Sequence, residues 1–221
     1  MIDDIMNLSW LQKLTNKGVF SIKKAIYILS LIMIVISVGI MGYSAFTIYN
    51  AKKDENKMLV SWNQKEELCK NEDNSITING QNIIGIMKYK SNISIPILVG
   101  ISNTTLNTGA GWSNHSAKFG ENGSSMVFGH RDSVFKFLRC INIGDEITIE
   151  TLDNIYKYKV IKTEIVNPQD IIISKGKGNH NLQLITCYPF GYIGSAPQRF
   201  IVTARLKEWH REGDIWGNKK Y

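Results

Sequence analysis

Between Lys24 and Lys52 the chain carries no charged residue, and Ala25 to Tyr49 is mostly Ile, Leu, Val, Met and Ala. This stretch constrains the fold more than any other. About 20 apolar residues in a helix span the hydrocarbon core of a bilayer, so the remainder must fold as a separate body. The stretch is longer than the core of a signal peptide, and no small-residue cleavage site of the A-x-A type follows it. It is expected to remain as an uncleaved anchor over 25–49 rather than to become a buried core helix. Lysines do not orient it: Lys13, Lys17, Lys23 and Lys24 precede the span and Lys52, Lys53, Lys57 and Lys65 follow it, so the positive-inside count is a tie.

The rest divides around that span. Residues 1–24 read as a short amphipathic tail, with Trp10, Leu11, Leu14 and Phe20 among lysines. Residues 50–74 are charged, and Leu59, Trp62, Lys65 and Leu68 near helical spacing suggest a juxtamembrane helix or stalk. Trp62 rests either on the following domain or on the membrane interface. From Ser75 the texture becomes β: SITI, NIIGIMKY, SIPILVG, SMVFG, DEITIET, YKYKVIKT, IIIS, LQLITC and FIVTARL recur between turn signals such as Asn79-Gly80 and Asn122-Gly123. Glu146 to Glu150 and Tyr156 to Val160 alternate apolar and polar residues, the period of half-buried strands. Many short strands imply a sandwich or closed barrel over 75–208. Phe128, Phe200 and Val202 are expected in its core, a short helix around Ser133 to Cys140, and a polar tail over 209–221.

Composition narrows the chemistry. Three cysteines, Cys69, Cys140 and Cys187, are an odd number at wide spacing, so a disulfide framework is not expected. No C-x-x-C or H-x-x-x-H pair suggests a metal, and neither metal nor cofactor is expected. A net charge of +7 suits a protein near anionic lipid or wall polymer, and equally a soluble basic surface. No compact basic motif with interleaved aromatics argues for nucleic acid.

The strand–breaker–strand segment Leu182 to Leu206 places Cys187 at the end of one strand and Arg199 at the start of the next. Antiparallel neighbours bring such ends together. Upstream, His130 closes the apolar run Met126 to Gly129. A thiol, an imidazole and a guanidinium make a nucleophile, a proton carrier and an oxyanion donor. Arg131 and Arg205 compete with Arg199, Asp132 tempts a triad reading that we do not adopt, and His115 either serves its loop or lines the same cleft. His180 and His210 are expected in solvent, Cys140 and Cys69 in packing or surface roles.

The motifs GHRD at 129–132 and LITC at 184–187, followed by the arginine at 199, resemble the signature of sortases, membrane-anchored cysteine transpeptidases of Gram-positive bacteria. The stretch TCYPFGYIGSAPQRFIVTA is similar to the class D branch. In class C the arginine follows the cysteine sooner and a second membrane helix usually closes the chain, whereas the C-terminal segment here is polar. The resemblance covers about Ser75 to Leu206. One departure is Gln183-Leu184 where the family often has Thr-Leu. The calcium-binding acidic cluster of some class A members has no counterpart here.

The resemblance implies an eight-stranded β-barrel preceded by a transmembrane helix, with His130, Cys187 and Arg199 as the catalytic set. It implies recognition between Val166 and Asn181 and in the loop after the cysteine, and Thr186 and His115 are expected as substrate contacts. Expected partners are secreted proteins bearing an LPXTG-type signal, a lipid-linked peptidoglycan-precursor amine and membrane lipid, with the domain outside and the N-terminus cytoplasmic. Two other thiol enzymes fit less well. L,D-transpeptidases place His and Gly directly before the cysteine, and papain-like proteases open a helix with it. The competing readings are a tethered barrel that binds without catalysis and a pilus-assembling sortase.

Overall fold

The computed structural model describes residues 9–63, 75–78, 80–173, 179–192 and 194–211, with side chains assigned from Lys24 onward apart from Ala25. Two compact units result, Met1–Asn50 and Ala51–Tyr221. Helix α1, Ser9–Asn63, runs through the first and contributes its last turns to the second. Of the sequence expectations, Cys69, most of the 209–221 tail, residues 64–74 of the stalk and residues 174–178 of the recognition segment lie outside the described residues.

In the first unit α1 is apolar all round, with Leu29, Ile34 and Met41 at least 61% exposed, the pattern of a helix that meets no protein partner. Its most apolar 18-residue window has a mean hydropathy of 2.3. Hydroxyls inside the helix turn back on its own carbonyls: Ser30 donates to Tyr27 O at 2.8 Å, Ser37 to Met33 O at 2.8 Å and Thr47 to Ser44 O at 2.8 Å. These three hydroxyls are satisfied within the helix, which suits a hydrocarbon surrounding.

The second unit is a β-barrel. Its strands are β1 Ile76–Ile78, β2 Gln81–Tyr89, β3 Ile93–Val99, β4 Ala110–Trp112, β5 Ser124–Phe128, β6 Glu146–Glu150, β7 Asn154–Val166, β8 Asn181–Tyr188 and β9 Gln198–Arg211. They are hydrogen-bonded in the order β1-β2-β3-β4-β5-β8-β9-β7-β6, and β6 returns to β2. The closed ring therefore has eight strands, as expected, with β1 riding on β2. Closure removes the free edges that an open sheet would expose. Two neighbouring pairs are parallel, β3 with β4 and β5 with β8. Parallel neighbours need a crossover; helix α2, Asn103–Thr108, makes the first, capped by Ser102 Oγ accepting from Thr105 N at 3.3 Å.

Alternation builds the core. Ile147 and Ile149 of β6, Tyr158 and Val160 of β7, Leu182 and Leu184 of β8, and Val202 of β9 all point inward and are at most 1% exposed. Tyr158 keeps its polar end satisfied, its hydroxyl accepting from Gly120 N at 2.9 Å. Burial pushes that phenol well above the usual tyrosine range. A second cluster joins Met58 and Trp62 of α1 to Ile76, Ile83, Ile86, Leu98 and Leu152. Trp62 thus rests on the barrel, 2% exposed.

Three expectations are corrected. Ile171 to Ile173 form no strand; they follow a 3-10 turn at Pro168–Asp170, and Ile172 is 77% exposed. The strand the sequence reading lacked is β4, only three residues long. Phe128 is outside the barrel wall, packed with Met126, Ile185 and Ile201, while Phe200 is half-buried at the barrel's end. The short helix is a 3-10 segment over Lys136–Cys140 with Leu138 buried.

Candidate active site

The ends of β5, β8 and β9 meet at one pole of the barrel. In the parallel β5–β8 ladder Phe128 is opposite Ile185. The same register continues past the strand, because Gly129 N donates to Ile185 O at 3.2 Å and Thr186 Oγ1 donates to Gly129 O at 2.7 Å. Two residues on, that register brings His130 alongside Cys187. Across the next pairing Cys187 is directly opposite Arg199. Cys187 and Arg199, about 4.8 Å apart as neighbouring strands are, therefore form a row with His130, which stands in the turn just past the end of β5.

Alternation also sets the face. Phe128, Ile185 and Ile201, each two residues from a member of the row, belong to the cluster outside the barrel wall. Val166 and Ile171 pack on the same cluster. The row accordingly opens beside an apolar floor on the outer wall. His130 is exposed, and Cys187 and Arg199 are half-buried. No hydrogen bond joins the three side chains. Arg199 Nη1 donates instead to Ala196 O at 3.1 Å and Gln198 O at 2.8 Å, which holds the guanidinium at the foot of the β8–β9 loop.

The other expected residues fall elsewhere. Thr186 is buried, and its hydroxyl is engaged by Gly129. It has no surface for a substrate, and its effect is to join the strand ends that carry His130 and Cys187. His115 lies in the turn after β4. Ser113 N donates to Met126 O at 3.0 Å and Ala117 N to Ser124 O at 3.1 Å, so that turn runs back along β5, away from His130. Arg205 is opposite Asn181, at the other end of β8. His180 is exposed, with Nδ1 2.8 Å from Gly120 O. Cys140 is exposed at the end of its 3-10 segment. Asp132 is 74% exposed and pairs with Arg131 at 3.5 Å.

Arg131 is the residue whose place sequence reasoning missed. It is buried, and Nη2 donates to Tyr192 O at 2.6 Å and Gly194 O at 3.1 Å, tying the turn after His130 to the β8–β9 loop. A cleft of about 410 Å³ lined by Trp112, Lys118, Phe119 and Tyr156 lies at the opposite pole, because Tyr156 is opposite Trp209, far along β9 from Arg199. Among the described residues no group of three or more His, Cys, Asp or Glu is placed to hold a metal ion.

Comparison with known proteins identifies the family of the barrel. Residues 86–207 match the family model described as a sortase domain. Sortase D of Bacillus subtilis is 36% identical over 120 residues, which is 53% of this chain. The chain spans 61% of the length of that relative. Among solved structures, a Clostridium perfringens Sortase D5 transpeptidase aligns with a TM-score of 0.60 at 25% identity, covering 71% of this chain and 99% of that one. Sortase C of Streptococcus pneumoniae aligns with a TM-score of 0.53 at 24% identity, covering 61% and 71%, a likeness of fold.

Proposed function

This chain belongs to the sortase family, and on that premise we propose that it is a membrane-anchored cysteine transpeptidase with Cys187 as its nucleophile. The observation that carries the proposal is the row itself: Cys187 and Arg199 are register partners, and the β5–β8 register extends to bring His130 beside the thiol.

Each member has a step. The Cys187 thiolate attacks the threonine carbonyl of an LPXTG-type sorting signal. Arg199 donates to the tetrahedral oxyanion, a charge best met by donors already held in place; the carbonyls of Ala196 and Gln198 provide that fixing. His130 protonates the departing amine, so the bond after threonine breaks and a thioester to Cys187 remains. The imidazole then takes a proton from an incoming amine of a lipid-linked peptidoglycan precursor. That amine attacks the thioester, the carbon–sulfur bond breaks as the new amide forms, and the Cys187 thiolate and protonated His130 are restored. The half-buried Phe128, Val166 and Ile171, packed over Met126, Ile185 and Ile201, offer the signal an apolar floor.

Ile26 onward in α1 is long and apolar enough to cross a membrane. A wall-directed reaction orients it with the N-terminus in the cytoplasm and the barrel outside.

The test uses the unit from Ala51, since a fragment beginning at Ser75 would strip Met58 and Trp62 from their cluster. An LPXTG-type peptide and excess amine are added, and products are followed by mass spectrometry. The expected product is the threonine-ended fragment joined to the amine, absent with Cys187→Ala. Cleavage that persists in Cys187→Ala, or no reaction across varied signals, sinks the proposal.

A further inference from the structure

The buried Arg131 is poorly accounted for by packing alone. It is 7% exposed. Among the described residues its one acidic partner, Asp132, is turned to solvent 3.5 Å away. Nε and Nη1 are buried without a hydrogen bond. A buried charge so incompletely paired opposes folding, and unsatisfied buried donors call for a reason. The polar contacts it does make are specific: one nitrogen, Nη2, bridges the carbonyls of Tyr192 and Gly194.

Those carbonyls lie in the loop between Cys187 and Arg199. Two and four residues past Gly194, the carbonyls of Ala196 and Gln198 hold the Arg199 guanidinium. At its other end Arg131 adjoins His130, whose carbonyl accepts from Phe135 N at 3.0 Å and so anchors the turn. One connected path therefore runs from the His130 turn through Arg131 to the β8–β9 loop and on to Arg199. Lysine's ammonium is more strongly hydrated than a guanidinium, so it is the costlier cation to bury at this place.

We propose that Arg131 is a positioning residue, which acts by fixing the β8–β9 loop so that Arg199 is held beside Cys187 in register with His130. The inference rests on the transpeptidase reading for its kinetic consequence and on the fold alone for its effect on the loop. Two readouts separate these.

The full chain in detergent micelles is prepared as wild type, Arg131→Met, Arg131→Lys, Arg199→Lys and the double variant Arg131→Met with Arg199→Lys. Single-turnover acylation by an LPXTG-type peptide is read by mass spectrometry, and amide hydrogen exchange is read over residues 188–198. Arg131→Met is expected to slow acylation about tenfold or more, the scale of a misplaced catalytic group, and Arg131→Lys to restore little of it. In the Arg199→Lys background the further loss is expected to be under about twofold, since residues on one path are not additive. Loop amides should exchange about tenfold faster in Arg131→Met while β8 and β9 interior amides keep their rates. Fully multiplying effects, or loop exchange equal to wild type, overturn the inference. Should Arg131→Met exchange faster everywhere, Arg131→Lys decides the matter by the same criteria. A wild type that is never acylated defeats the transpeptidase reading, and loop exchange still decides the role of Arg131.

Discussion

Thr186→Val removes one oxygen and keeps the shape of the side chain, at the point where the His130 and Cys187 strand ends are joined. Thr186 is 2% exposed and donates to Gly129 O at 2.7 Å. Valine suits a strand as well as threonine, so neither a cavity nor a change of propensity enters. What remains is a carbonyl left without its donor in a dry setting, a loss of about 1–3 kcal/mol. Losing the threonine hydroxyl's own cost of burial offsets part of this, so a net loss of about 1–2 kcal/mol is expected. For a urea slope of about 2 kcal/mol per molar, the midpoint falls by roughly 0.5–1 M.

The assay is urea denaturation of the unit from Ala51, followed by tryptophan fluorescence, with Thr186→Ser alongside. Serine keeps the hydroxyl and loses a methyl, so it should lose about 1 kcal/mol through packing alone. The two variants separate in turnover rather than in stability. Valine unties His130 from Cys187 and should lose about tenfold in acylation rate while fully folded, whereas serine should stay within about twofold of wild type. A valine midpoint within about 0.2 M of wild type, against the slope just used, would refute the energetic argument. Equal losses of acylation in valine and serine would refute the positioning argument.

Trp62→Ala should lower stability by about 3–5 kcal/mol, as for large buried aromatics; an unchanged urea midpoint would return Trp62 to the membrane interface. Gly129→Ala should lose about 1–3 kcal/mol by overpacking, because a methyl there would lie 2.8 Å from ring carbons of the fully buried Phe135; thermal denaturation checks it, and a midpoint equal to wild type would contradict it. Asp145 accepts from Asn142 N at 2.9 Å and Tyr89 Oη at 2.7 Å, and these bonds, the backbone one first, hold its carboxyl below the usual range. A depressed folded pKa adds stability that is present above the unfolded value of about 4 and is lost as pH falls through the folded one. Asp145→Asn should therefore flatten the stability–pH curve below about pH 4, and an unchanged slope in acid denaturation would count against it.

How far the fold was legible depends on the scale of each feature. The alternation in Glu146 to Glu150 and Tyr156 to Val160 marks strands because one face is buried, and Ile147, Ile149, Tyr158 and Val160 are the residues that bury. Closure was not legible locally: it joins Ile86 to Glu150 and Tyr89 to Ile147, about 60 residues apart, with no turn between them to signal a pairing. Phe128 was assigned to the wrong face for a definite reason. At the active pole both sides of the wall are apolar, with Val127 and Leu184 inside and Met126 and Ile185 outside, so a period-two reading has no polar face to orient it. Ile171 to Ile173 misled in the same way, since an apolar run without a ladder partner is no strand.

The candidate site divides along the same line. Cys187 and Arg199 belong to neighbouring antiparallel strands joined by one breaker-rich loop, so their meeting follows from local pattern and strand geometry. His130 arrives through a parallel pairing 57 residues away in sequence; its residue type and its place after an apolar run suggested the partnership with the thiol, and the resemblance of GHRD and LITC to a known signature strengthened it. Arg131 had no local signal. A cation in a turn reads as solvated, and what buries it is two loop carbonyls 61 and 63 residues away. Residue types that supply the chemistry were visible from the sequence because chemistry restricts them. The group that holds them in register was not, because many residue types can occupy a turn and only the assembled loop singles out this one. If that distinction is right, Arg131→Lys, conservative by charge, should be the more disabling change at the site than Asp132→Asn, conservative by shape, with acylation rates as the measure. The reverse order would mean that the exposed carboxylate, and not the buried guanidinium, positions the turn.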